Sequence, residues 1–247
     1  ASVLDPAGKA GVVSRTGRTD LLRASAAALA WSILALLQML WALADVLGVD
    51  LAQAASPMVV STYAMDVPLT RALVATAVLA AVLCVGAFTS STTGSGLSWL
   101  ILAVVAAVLP TLAGHGAGLG DHGLALSAGV AHAAGAMIWI GGLAALALHA
   151  IRRDVPLAGP ASRFSGIALV AFVVIAISGV ANGYTRLENA SQLVSTGYGQ
   201  VLLAKAGLLI GLGFLAWVMR TRIIGTLGNR SRAGAFARIA GIELTVM

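Results

Sequence analysis

The chain has 247 residues, 59% of them hydrophobic and only 10% charged, with a net charge of +6. A soluble domain carries about a quarter charged residues, so this balance, with a mean hydropathy of +0.96, excludes a soluble fold. Aromatic residues make up just 5%, and 29 glycines together with abundant alanine suit helices that approach one another closely in lipid.

Residues 1–21 form a polar, basic segment holding Lys9, Arg15 and Arg18, with no signal-sequence pattern. A membrane helix needs about 20 mainly apolar residues, and the first such run covers roughly 22–45. The connection 46–67 carries Met58, Tyr63, Met65 and Asp66. The second run, 68–89, holds the single cysteine, Cys84, so no disulfide can form within the chain and no CxxC motif exists. The third run, 95–113, leads into a glycine-rich stretch, 114–123, that contains His115, Asp121 and His122. The fourth, 124–151, contains His132, Met137 and His149, and Arg152 and Arg153 follow it. The fifth covers 163–184, and the connection after it holds Arg186 and Glu188. The sixth, 197–221, contains Tyr198 and Lys205. A seventh begins near 235, includes Glu243 and is cut short at Met247, which reads as part of a longer polypeptide. The runs are continuously apolar, without the alternation of a membrane β-barrel. The expected fold is therefore all-α: a polytopic transmembrane helical bundle with six full spans and the start of a seventh. Its division is a polar segment at 1–21 and a transmembrane domain at 22–247.

Net positive charge in a soluble protein would suggest nucleic acid; here the basic residues sit in short loops between spans, so nucleic acid is not expected. Lys9, Arg15, Arg18 and Arg23 precede or open the first span, and Arg152, Arg153 and Arg163 follow the fourth. Arg220, Arg222, Arg230, Arg232 and Arg238 follow the sixth, whereas the intervening connections hold almost only Arg71 and Arg186. Basic residues thus occupy every second connection, which by the positive-inside rule places the N-terminal residues in the cytoplasm. The connections at 46–67, 114–123 and 185–196 then face outward.

Three of the four histidines, His115, His122 and His132, fall within 18 residues around the glycine-rich stretch. A short hairpin connection folded over the bundle would bring the three imidazoles together near the outer surface. Imidazole suits Zn, Cu, Fe and Ni, and thioethers would bias a site toward Cu(I). Met58 and Met65 share the outer side, and Met137 lies about one turn below His132. The bland alternatives are histidines bonded to water and headgroups, and methionine as apolar filler. His132 stands apart, because ionisable residues inside a span are costly and mark function. His149 lies some 25 Å along the same helix from His132 and reads as an interfacial histidine outside any such site. Gly135 and Gly142 share a face with His132 and Trp139, where small residues admit a neighbouring helix. Lys205 reads equally as a residue snorkelling to the surface or as a functional one.

The run Gly114-His115, His122, His132 and Trp139-Ile140-Gly141-Gly142-Leu143 resembles the copper-resistance CopD family. The match continues through Arg163-Phe164-Ser165, Ser178-Gly179, Tyr198-Gly199, Leu203-Ala204-Lys205, and Arg238 with Glu243-Leu244. It covers about 110–247, with the N-terminal third similar only in hydropathy, so 22–247 would be one CopD-like domain. It looks most like the actinobacterial form in which a CopD-like half is fused to a CtaG-like oxidase-assembly half, which, if present, would lie beyond Met247. The resemblance implies a non-enzymatic, copper-binding protein of the bacterial plasma (inner) membrane that acquires or transfers copper at the outer face. It also implies copper uptake or resistance, with a periplasmic copper chaperone or the haem-copper oxidase as partner, beside copper and the lipid bilayer.

Two other classes compete. A b-type haem electron carrier needs histidines on facing helices at matching depth, and only His115 is available to pair with His132. A structural assembly subunit would leave three histidines unexplained. No Ser-His-Asp spacing, zinc-protease helix motif or phosphate loop is present, so an enzyme is not expected.

Overall fold

The computed structural model describes residues 13–92, 94–113, 122–152, 157–187, 189–218, 220–221 and 241. Its described residues form helices and their connections, with no β-sheet. In chain order the helices are α1 (Arg15–Leu47), α2 (Leu51–Ala54), α3 (Pro57–Tyr63), α4 (Pro68–Thr89), α5 (Gly94–Ala113), α6 (His122–Arg152), α7 (Ala158–Tyr184), α8 (Gln192–Ser195) and α9 (Gly197–Val218). Six of them, α1, α4, α5, α6, α7 and α9, are long and apolar enough to cross a membrane. The chain is thus a multi-pass, all-α membrane protein. The expected seventh span, with Glu243, lies outside the described residues except for Gly241.

The helices fall into two compact units, Ala1–Ala117 and Gly118–Met247. In the first, α1 packs on α4 and α4 on α5. Helix α1 starts earlier than the apolar run, because Ser14 caps it by accepting from the Gly17 amide at 3.0 Å. Part of the polar N-terminal segment is therefore helical. Its other end stops at Gly48, whose φ of 65° is the left-handed conformation that glycine adopts without penalty. The connection 46–67 is not irregular: Asp50 caps α2, and Ser56 caps α3 with Pro57 at its first position. These short helices cover the ends of α1 and α4, where Met39, Leu43, Ala54, Ala64 and Leu73 form a buried cluster.

Polar side chains within the spans bond to a neighbouring backbone. The Ser25 hydroxyl donates to the Cys84 carbonyl at 2.8 Å and Ser32 to the Ala77 carbonyl at 2.9 Å, tying α1 to α4. The Thr76 hydroxyl reaches the Ala106 carbonyl at 3.0 Å, tying α4 to α5. Such interhelical bonds contribute about 0.6 kcal/mol each in lipid. At the far end of α4, the Trp99 indole N–H donates to the Ser90 hydroxyl at 2.7 Å, and its ring lies against Gly86. Arg18 donates to the Ser90 carbonyl at 3.0 Å. A cation there also complements the helix C-terminus.

In the second unit, α6 and α7 pack antiparallel along most of their length, while α9 touches α7 and continues from α8. Gly199 seats α9 against Gln192 and Leu193, and its amide donates to the Thr196 hydroxyl at 3.0 Å. Most of α9 is exposed; Leu212 and Gly199 are its buried residues.

Candidate metal site

Lipid tails are as apolar as the side chains they would touch, so α6 and α7 associate through packing and hydrogen bonds. Small residues on α6 make that packing close. The Gly135 position faces Ile175 and the Ala171 carbonyl, and a Cβ there would lie 3.1 Å from the Ile175 side chain. The Gly142 position lies against the Phe164 ring, leaving no room for a Cβ. Between them the buried Trp139 ring meets Phe172 edge-to-face, with centroids 5.5 Å apart. Gly213 of α9 lies against the outer edge of the Phe172 ring, at Cζ and Cε2.

One helical step up this seam from Gly135 stands His132. Its Nδ1 lies 3.1 Å from the hydroxyl of Ser178 on α7, and Ser178 is only 4% exposed. The same hydroxyl donates to the Ile175 carbonyl at 3.1 Å. The ring edge at Cε1 faces Gly179. Beyond Ser178, His132 makes no hydrogen bond or ion pair among the described residues. It is half-buried, so the ring sits at the margin of the seam and not in its centre.

The other expected ligands fall differently. His115 and the side chain of His122 lie outside the described residues. Helix α6 nevertheless begins at His122, so ten residues of helix, about 15 Å along the axis, separate it from His132. Met137 is half-buried and stands about 140° around the α6 axis from His132, off the face that carries the imidazole. Met58 is 78% exposed on α3, and Met65 is exposed just beyond it, both in the first unit. Among the described residues no group of three His, Cys, Asp or Glu side chains is placed to hold a metal.

His149 is 3% exposed and engaged within the protein, in the last turn of α6. Trp139 and Gly142 serve the α6–α7 seam, whereas the Gly141 position faces open space. Tyr198 is partly exposed, with the Arg186 guanidinium 5.9 Å from its ring centroid. Lys205 is exposed on α9. Glu243 lies outside the described residues. Ser178 is the residue that reading the sequence passed over as chemistry; a serine inside an apolar span is the signal that could have found it.

Comparison with known proteins places this geometry. Residues 158–247 match the family model of copper resistance protein D, CopD. A curated relative, the copper transport protein CutJ of Bacillus subtilis (strain 168), is 37% identical over 102 residues. That match covers 39% of this chain, and the chain spans 19% of the relative's length. No solved structure matches. The family match begins at α7, so Ser178 lies inside it and His132, on α6, upstream of it. Residues 158–247 are thus similar to the copper resistance protein D family.

Proposed function

We propose that the chain handles copper in the bacterial plasma membrane, taking it up at the outer face and passing it inward or onward to an acceptor such as the haem-copper oxidase. The observation that carries this reading is the hydrogen bond between His132 and Ser178, which ties an in-span histidine to the segment that matches the family. An ionisable group within a span is costly to keep and marks an ion or proton pathway. His132 offers a neutral nitrogen ligand there, a donor that fits copper. His115 and His122, at or beside the glycine-rich stretch, then form an entry above it, and copper passes stepwise between stations about 15 Å apart. The exposed Met58 and Met65 supply thioethers that favour Cu(I) during capture. The loop charges orient the entry outward. A chain of the CopD–CtaG type would couple this step to oxidase assembly.

The test of purpose is physiological. Deleting the gene lowers cellular copper or oxidase activity under copper limitation, added copper restores it, and a His132→Ala copy fails to complement. A deletion strain that is normal in copper starvation and hypersensitive only to copper excess would replace delivery with detoxification.

A further inference from the structure

Ser178 lies between a backbone carbonyl and an imidazole nitrogen and holds one proton to give. Its oxygen lies 3.1 Å from the Ile175 carbonyl, which can only accept, and 3.1 Å from His132 Nδ1. Two arrangements are open to this buried group. If Ser178 donates to Nδ1, the Ile175 bond is lost, and the His132 proton sits on Nε2 without a partner among the described residues. If His132 donates from Nδ1 to Ser178 and Ser178 donates to Ile175, both bonds form together, and Nε2 keeps a bare lone pair. The second arrangement makes one more hydrogen bond and strands no N–H, and an orphaned N–H is the rarer and costlier defect. Tautomer choice in a histidine is set by the bond its other nitrogen makes.

We propose that Ser178 is a positioning residue for copper: it holds His132 as the Nδ1–H tautomer and leaves the Nε2 lone pair free for a Cu(I) ion. The proposal rests on the copper reading above and adds to it a specific donor atom and the residue that sets it. Metal-ligating histidines commonly donate their other N–H to an outer-shell partner, which fixes the tautomer and the ring orientation. Here that partner is supplied by the facing helix, inside the family segment. Gly135, three residues from His132 on α6, holds the helices close enough for the bond.

The test uses the full chain purified in detergent, with 15N-labelled histidine rings and, separately, Cu(I) titrated against a chromogenic Cu(I) chelator. His132→Ala assigns the His132 ring signals by their disappearance. In the metal-free protein His132 shows a protonated Nδ1 and an unprotonated Nε2. Ser178→Ala mixes the tautomers and weakens Cu(I) binding about tenfold to a hundredfold, the range for losing an outer-shell partner. Ser178→Thr, which keeps the hydroxyl, restores the single tautomer and most of the affinity. A purely structural serine would leave the ring spectrum unmoved. An Nε2–H ring in the wild type, or a Ser178→Ala spectrum identical to it, overturns the proposal. Undiminished Cu(I) binding by His132→Ala overturns instead the copper reading on which the ligand assignment stands, and the ring spectrum still decides separately whether Ser178 sets the tautomer.

Discussion

The adjacent glycines of α6 offer a controlled perturbation, because the seam uses one and not the other. A Cβ added at Gly142 would land within the Phe164 ring, which is itself buried, while a Cβ at Gly141 would meet nothing within 4 Å. Overpacking of this kind costs about 1–3 kcal/mol. In a soluble helix, part of that would be offset by the gain of about 1 kcal/mol from replacing glycine with alanine. Lipid removes most of the offset, since a helix separated from its partner in the bilayer stays helical to keep its backbone bonds. Gly142→Ala should therefore shift the balance between packed and separated helices by roughly fivefold to a hundredfold, at 1.4 kcal/mol per factor of ten. Gly141→Ala should leave it close to unchanged. Unfolding of the purified variants in mixed detergent, followed by intrinsic tryptophan fluorescence against that of the wild type, reads the difference. Equal destabilisation by both substitutions, or none by either, would refute the close α6–α7 packing that brings His132 to Ser178.

Three further outcomes follow from the same geometry and topology. In a Cys84→Ser background, a cysteine at Asn189 should react with an impermeant thiol reagent from outside and one at Gly159 should not; the reverse pattern would overturn the outward orientation. His149→Ala should retain bound copper but lower stability by about 1–3 kcal/mol, because it removes a buried, engaged side chain and leaves its partner unsatisfied; loss of copper equal to that of His132→Ala would dissolve the distinction between the two histidines. Imidazole binds a metal only when neutral, so acidification should release copper and realkalisation restore it, measured by equilibrium dialysis; retention unchanged at acidic pH would argue against histidine ligation.

The spans were legible in the sequence because hydropathy over about 20 residues reports lipid burial directly. The run at 68–89 coincides with α4. The helix ends were less so, since backbone bonding continues past the apolar region: Ser14 starts α1 ahead of its hydrophobic run, and α7 begins at Ala158, before Arg163. Helices α2 and α3 carry local signals in Asp50 and in Ser56-Pro57, but they are short and their packing over α1 and α4 is tertiary. The shared face of His132, Gly135, Trp139 and Gly142 was readable from helical periodicity, and the seam with α7 bears it out. The pairing of His132 with Ser178 was not, because it depends on the antiparallel register of two helices.

The central claim is that His132 binds copper inside the second unit, and the most direct measurement is the metal content and absorption spectrum of the purified protein beside its His132→Ala variant. The account predicts copper in the wild type, no b-type haem bands, and loss of most of the copper when His132 is replaced. A haem spectrum, or copper retained in full by His132→Ala, would contradict it.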